Sequence, residues 1–170
     1  MRLFIRNIIC IVAVAAATFG CTTNDCPLNN TVSLVCGFYN SADGNPLGIA
    51  DTLTITIRDS VVLNRAVGAA TVSLPMSYAA EADTLVLNYT PEGTTASAAD
   101  ILIVSKTNQP HVISLECGTR VFHTITGATN HAPRTPDATY RYAVDSVVVS
   151  NPNVNFDGQE NLKIYYTIFQ

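Results

Sequence analysis

The chain has 170 residues, enough for one domain with its own core, and only 13% of them are charged, against about 25% in ordinary domains. The formal net charge of −4 argues against nucleic acid and anionic lipid as partners, because both require clustered Lys and Arg. The scarcity of titratable groups also leaves few residues from which an active site could be built.

The first 20 residues have the order of parts of an export signal. Arg2 and Arg6 precede an apolar run, 8–19, which is too short for a permanent membrane-spanning helix. Cys21 directly follows a glycine, and this arrangement resembles a lipobox, where bacterial lipoproteins receive diacylglycerol on sulfur. We predict that residues 1–20 are removed and that lipid on Cys21 anchors the protein. The alternative is an ordinary secreted protein with Cys21 as a plain thiol.

Residues 21–30 are polar and turn-forming, and they predict a short tether between the anchor and the domain. Loss of the signal removes two arginines, so that seven basic residues remain against 13 acidic ones, a net charge of −6. Residues 31–170 contain no repeat and no change of composition. They are therefore predicted to form one domain.

Apolar and polar residues alternate along most of this domain, as they do in half-buried strands. Thr52–Ile57 is the clearest case, with its aliphatic residues on one face and its threonines on the other. We predict turns at 43–46, 108–110 and 151–158, and the longest irregular stretch at 126–137. The other predicted strands are 32–38, 61–64, 72–76, 85–89, 101–104, 113–125 with a break at Gly118, 140–149 and 162–168.

About nine short strands without a helical stripe predict an all-β fold, a single antiparallel β-sandwich that is immunoglobulin-like or barrel-like. The chain has no Trp, so the Cys-Trp-Cys signature of true immunoglobulin domains is absent. The strand order is left open.

Three cysteines remain after the signal and the anchor are set aside, which suggests one disulfide and one free thiol in an oxidising compartment. Alternation places Cys36 and Cys117 on inward faces, which favours either their pairing or a buried inert thiol. Pairing Cys26 with Cys117 would instead tie the tether to the sheet and leave Cys36 in the core. We favour this second assignment.

No catalytic or metal-binding pattern is found in the sequence. His111, His123 and His131 lack the spacing of a zinc site. Residues 153–158 resemble the start of a calcium loop, but Ile164 stands where that loop requires Glu, and an Asp-Gly turn is the simpler interpretation. We therefore expect no enzyme activity, no metal and no cofactor. The acids predicted on strands, none of which forms an evident catalytic pair, are Asp100, Glu116 and Asp145.

Two further patterns concern the surface. Exposed aromatic side chains could bind sugars, and Tyr140, Tyr142, Tyr165 and Phe169 are the candidates. Four Asp-(Ser/Thr)-aliphatic tripeptides look like the O-glycosylation sequon of Bacteroidota envelope proteins, although polar residues also simply precede strands. The hydroxyl residues of these tripeptides are Thr52, Ser60, Thr84 and Ser146.

Three stretches, 21–32, 111–118 and 145–155, are similar to a Bacteroidota lipoprotein family of unknown function. The resemblance implies a lipid-anchored envelope protein in which Cys26 and Cys117 are the family-like pair, while Cys36 is peculiar to this sequence. It implies no activity.

The function expected from the sequence is that of a non-enzymatic outer-membrane lipoprotein, a structural or binding accessory to another envelope protein such as a β-barrel. A glycan-binding module is the alternative, and a hydrolase is the second alternative. Only Asp25 follows the lipid cysteine where surface display usually needs an acidic cluster, so the periplasmic leaflet is favoured. The oligomeric state is left open.

Overall fold

The computed structural model describes residues 31–115 and 117–169, so the predicted signal (1–20) and tether (21–30) lie outside the described residues. No helix in the described ranges could cross a membrane. The described part of the chain forms ten strands: β1 (Leu34–Asn40), β2 (Thr52–Ile57), β3 (Ser60–Ala66), β4 (Thr71–Leu74), β5 (Ala82–Thr90), β6 (Ala98–Ser114), β7 (Gly118–Asn130), β8 (Tyr142–Val149), β9 (Asn153–Val154) and β10 (Leu162–Ile168).

The strands form two sheets that pack face to face, which confirms the predicted all-β sandwich. One sheet has the order β4-β1-β10-β8 and the other β3-β2-β5-β6-β7-β9. Neighbouring strands are antiparallel except β1 and β10, which run in the same direction with Cys36 opposite Leu162. The sequence did not predict this parallel pair, because alternation carries no information about strand direction.

The predicted alternation places the core correctly. Leu53, Ile55 and Ile57 of β2 are buried, while the intervening threonines are partly exposed. Each such aliphatic side chain stabilises the fold by about 1.5–3 kcal/mol when it is fully buried. In the middle of the sandwich, the hydroxyl of Tyr89 in β5 donates to that of Tyr166 in β10 at 3.1 Å, and the rings stand edge to face. This bond satisfies a buried polar group between the sheets.

The hairpin of β6 and β7 corrects two predictions. The predicted turn at 108–110 lies inside β6, and the predicted irregular stretch at 126–137 begins only after Asn130. Turn-forming residues are overridden here by pairing with β7, in which Asn108 faces His123 and Pro110 faces Val121. Because β5 pairs with β6 only as far as Ser105, Pro110 lies where β7 is the only described neighbour of β6, and proline is tolerated at such an edge.

The part of this hairpin beyond Lys106, residues 107–115 and 117–124, extends past the end of β5, and we call it the ribbon. β9 pairs with β7 only at His123 and Thr124, so the rest of the ribbon is two-stranded among the described residues. Its turn includes Gly118 at a φ of 73°, a left-handed conformation that glycine adopts without steric cost. Since an isolated two-stranded hairpin is marginally stable, the ribbon needs support from the rest of the domain.

Candidate functional site

A buried polar cluster fastens the base of the ribbon to the segment before β5. Lys106 Nζ donates to the carbonyl oxygens of Ser77 and Ala80 at 2.7 and 2.6 Å. It also lies 3.3 Å from Asp83 Oδ2, which accepts the backbone N–H of Ser77 at 3.0 Å. The Lys106 and Asp83 side chains are buried, so this ion pair is shielded from water.

His123 joins the same cluster from β7. Asn108 donates through Nδ2 to the carbonyl of Ala80 at 2.9 Å, so its Oδ1 is left to accept from His123 Nδ1 at 2.7 Å. Burial lowers the pKa of His123, and the nearby charge of Lys106 lowers it further, against an opposing effect of Asp83. The neutral ring therefore carries its proton on Nδ1, and its buried Nε2 has no hydrogen-bond partner among the described residues.

This cluster has the residue types of an acid–base site, but its geometry indicates a structural role. A cleft of about 800 Å³ opens beside it, lined in part by Tyr78, Glu81 and Thr107. Lys106 and Asn108 also line this cleft. However, four acceptors surround the three protons of the buried Lys106 Nζ, and His123 is buried, so neither Nζ nor the imidazole is free to act on a molecule in the cleft. The cluster thereby supplies the support that the ribbon needs.

A second buried cluster joins the two sheets. Asp100 of β6 receives two hydrogen bonds from Arg134, Nε to Oδ1 at 2.8 Å and Nη2 to Oδ2 at 3.1 Å. The same Oδ2 accepts the backbone N–H of Val144 in β8 at 2.9 Å. Asp100 is one of the acids that the sequence predicts on strands, and every one of these bonds ties it into the fold.

The ribbon ends in exposed apolar side chains. Leu115, in the turn, is fully exposed and Val112 is 66% exposed, and we call these two residues the apolar tip. Behind the tip, the His111 ring stacks on Phe122 at a centroid distance of 4.4 Å, and Phe122 meets Phe156 edge to face at 4.9 Å. The aromatic stack holds the ribbon against the domain while the tip projects from it.

A groove of about 550 Å³ lies beside the ribbon. One wall is formed by residues 31–33, the first that the structure describes, and another by residues 119–121 of β7. Pro75, Met76 and the exposed Tyr78 line the remainder. The ribbon therefore stands next to the point where the predicted tether enters the domain.

The structure corrects the prediction for Cys117 and settles one pairing. Cys117 is half-buried in the turn between β6 and β7, rather than on an inward strand face, because the ribbon extends past the core. Cys36 is inward as predicted, and it is a free thiol whose pKa burial, with a smaller contribution from Glu160, raises to about 12. The alternative pair of Cys36 with Cys117 is therefore wrong. Cys21 and Cys26 lie outside the described residues, so lipidation and the pairing of Cys26 with Cys117 stay predictions.

The predicted glycosylation residues differ in accessibility. Ser60 at the start of β3, Thr84 on β5 and Ser146 on β8 are exposed. Thr52 is half-buried at the start of β2, and Asp51 before it is buried. Modification of these residues stays a prediction.

Among the aromatic candidates, Tyr142 was predicted wrongly, because it is buried where β8 begins against the core. Tyr140 and Tyr165 are half-buried, and Phe169 is exposed. On the outer face of the smaller sheet, Tyr165 lies beside Tyr39 with ring centroids 5.6 Å apart, and Tyr39 donates to Glu160 Oε2 at 2.8 Å. No local pattern predicts this pair, since it depends on the parallel register of β1 and β10.

No group of three or more His, Cys, Asp or Glu within residues 31–115 and 117–169 could hold a metal ion. In the segment that resembles a calcium loop, Asn155 Oδ1 accepts the backbone N–H of Asp157 at 2.7 Å. Asp157 Oδ1 in turn accepts that of Gln159 at 2.9 Å. These are the side-chain-to-backbone bonds of ordinary turns, as the simpler interpretation requires.

Comparison with known proteins identifies a family but no activity. The profile of a family of unknown function, DUF6452, matches residues 50–166, which include both buried clusters, the ribbon and most of β10. Of the three stretches that resemble a lipoprotein family, 111–118 and 145–155 lie inside the match, and 21–32 lies outside it. No curated protein and no solved structure matches the chain significantly. The chain belongs to the family of unknown function DUF6452.

Proposed function

We propose that this chain is a non-enzymatic, lipid-anchored protein of the outer membrane that acts as a binding accessory to another envelope protein. One observation carries the proposal: the ribbon projects from the sandwich with Gln109 exposed on its side, beside the groove that residues 31–33 line. A binding element thus stands at the point where the predicted tether joins the domain.

Chain length supports this placement. Thr31 is ten positions after Cys21, and a fully extended chain of that length spans at most about 35 Å. A diacylglycerol anchor, with its two acyl chains, holds a protein stably on a bilayer, whereas one chain alone holds it only marginally. Lipid on Cys21 would therefore keep the ribbon close to the membrane, within reach of a membrane-embedded partner.

A disulfide between Cys26 and Cys117 would shorten that distance further. Cys36 is buried and free, so it does not compete for Cys117. The turn that holds Cys117 adjoins residues 119–121, which share the groove with the entry of the tether. This pair would fix the tether to the ribbon and close a loop of about 90 residues, which stabilises a fold by about 4 kcal/mol in the chain-entropy model.

A non-enzymatic role is supported by the use that the fold makes of its buried charges. Lys106 holds the segment before β5, and Arg134 holds Asp100 between the sheets. A general acid or base must instead reach the proton that it transfers.

The test is site-specific photocrosslinking in native membranes. A photoreactive residue at Gln109, on the exposed side of the ribbon, should capture one envelope protein in near-stoichiometric yield. The same residue at Val67, at the opposite end of the sandwich, is the matched control and should capture none. The yield at Gln109 should fall when Cys21→Ala removes the anchor. Equal capture from both positions, or none from either, would refute the accessory role.

Glycan binding is the second candidate, and the outer face of the smaller sheet favours it. Tyr39 and Tyr165 lie side by side there, with the carboxylate of Glu160 and the ammonium of Lys163 at Tyr39. Aromatic faces beside polar groups can stack against sugar rings while a carboxylate accepts hydroxyl hydrogen bonds. Binding to an array of envelope oligosaccharides that is lost in both Tyr39→Leu and Tyr165→Leu would establish this function, and an array without signal would exclude it for the sugars tested.

A further inference from the structure

We propose that the apolar tip, Val112 and Leu115, inserts into the lipid interface of the membrane that carries the anchor. The inference rests on the proposed lipidation of Cys21 and adds to it a second membrane contact made by the folded domain. It thereby assigns a lipid surface, rather than a protein, as the occupant of the tip.

The exposed apolar residues of the ribbon lie together at its end. Leu115 is fully exposed and Val112 is 66% exposed, and both lie at the far end of an extension that leaves the sheet. Single exposed aliphatic residues are common on proteins and need no explanation. Two of them at the end of a projecting ribbon form the part of the described domain that is best placed to insert into a lipid bilayer.

The ribbon points away from the end of the sandwich that holds Val67. The start of the described chain, residues 31–33, lines the same groove as residues 119–121, which directly follow the turn of the ribbon. The predicted anchor is only ten residues before Thr31. At the other end of the sandwich, Leu53 pairs with Ala66 and Tyr89 with Ala98, so Val67 lies far from the tip. The tip is thus at the end of the domain that the tether enters.

The size and the charge of the tip favour lipid over protein as its occupant. A stable protein–protein interface buries about 1,200–2,000 Å² in total, far more than two aliphatic side chains supply. A lipid interface sets no such minimum when an acyl anchor already holds the protein at its surface. The acidic chain has no basic cluster at the tip, so insertion should be apolar in nature and should not require anionic lipid.

Residues behind the tip suit the headgroup region. His111 pairs with Arg120 across the ribbon, and His111 stacks on Phe122. Cationic and aromatic side chains with polar edges are stable at the boundary between headgroups and acyl chains. When Val112 and Leu115 reach the acyl chains, the residues behind the tip lie closer to the headgroups, at the depth that such side chains favour.

The chain contains no tryptophan, so one introduced tryptophan reports on one position. The full-length lipidated protein would be reconstituted into phosphatidylcholine vesicles with brominated acyl chains, which quench tryptophan that enters the bilayer. Leu115→Trp and Val112→Trp test the tip. Val67→Trp is the matched control, since Val67 is 67% exposed, as Val112 is at 66%, and lies at the opposite end.

The inference requires strong quenching and a blue-shifted emission at positions 112 and 115, and neither effect at position 67. Vesicles that float with the protein but quench none of the three tryptophans would overturn the inference and leave the lipid anchor intact. A protein that does not float with vesicles would overturn the anchor and the inference together. Blue-shifted emission from positions 112 and 115 in native membranes, without quenching in pure lipid vesicles, would also overturn the inference, in favour of a protein partner.

Discussion

Arg134 and Asp100 form a fork-to-carboxylate ion pair that locks the two sheets of the sandwich together. Arg134 comes from the segment between β7 and β8, and Asp100 lies on β6 of the larger sheet. The same carboxylate accepts the backbone N–H of Val144 on the smaller sheet. A single buried charge therefore satisfies groups from both sheets and from the connection between them.

Replacing Arg134 with Met should destabilise the domain by about 3–5 kcal/mol, because Asp100 would remain buried as an unpaired charge. Urea unfolding of the two proteins at neutral pH measures the difference. Arg58→Met, at an exposed arginine in the turn after β2, is the control and should change stability by no more than about 0.5 kcal/mol. Equal effects of the two substitutions would show that the ion pair does not hold the sheets.

Acidification should weaken the fold through His123. Burial and the charge of Lys106 lower the pKa of His123 in the folded state, whereas the ring in the unfolded chain titrates near its ordinary value of about 6.5. The unfolded chain therefore binds more protons as the pH falls through this value, and the free energy of unfolding decreases until the lower, folded pKa is passed. The loss cannot exceed about 1.4 kcal/mol per pH unit for one proton.

Unfolding measured between pH 7.5 and 5 tests this dependence. His123→Gln should remove part of the acid-dependent loss, while His131→Gln, at an exposed histidine, should retain all of it. Identical pH profiles for the unaltered protein and His123→Gln would contradict the role given to this ring.

Thiol labelling should separate the cysteines of the mature protein. Cys36 should stay unlabelled in the folded state, because it is buried and its pKa is raised to about 12. If Cys26 pairs with Cys117, Cys26→Ala should expose one maleimide-reactive thiol at Cys117 and lower stability by about 4 kcal/mol. Cys36→Ala is the control that should expose no thiol. Labelling of Cys117 in the unaltered, non-reduced protein would rule out the disulfide.

Glycosylation, if it follows accessibility in the folded domain, should spare one of the four predicted residues. Ser60, Thr84 and Ser146 are exposed and should carry glycan, whereas Thr52 is half-buried behind a buried Asp51 and should not. Peptide mass spectrometry of protein from its native envelope measures occupancy at each position. Modified Thr52, or unmodified protein throughout, would contradict this expectation.

Local patterns predicted the inward faces of the strands well, and they predicted poorly the features that depend on contacts between distant residues. The alternation of Thr52–Ile57 was confirmed because the inward face of a strand is decided by its own residues. The turn predicted at 108–110 was wrong because Asn108 is held in the strand by hydrogen bonds to Lys106 and His123. A short stretch of sequence around Asn108 does not reveal the contact with His123. Tyr142 was wrong for a similar reason, since its burial depends on where β8 enters the sandwich.

The long-range relationships of the candidate sites could not be predicted from one sequence. Tyr39 and Tyr165 are more than 120 residues apart, and they meet only because β1 and β10 are parallel and in a particular register. The sequence did not predict the ribbon, because the length of the ribbon depends on where β5 stops pairing with β6. The predicted alternation located the strands of the hairpin, but it did not reveal that they project beyond the sheet.

The parallel pairing of β1 and β10 gives the domain a mechanical property. If the N-terminal side of β1 is anchored as proposed, tension between it and anything that holds the C-terminal end of β10 pulls these two strands in opposite directions along their length. The backbone hydrogen bonds along Cys36–Asn40 then share the load and must break together, instead of opening one after another as in a zipper. A protein held to a membrane at one end and to a moving partner at the other would resist unfolding under force.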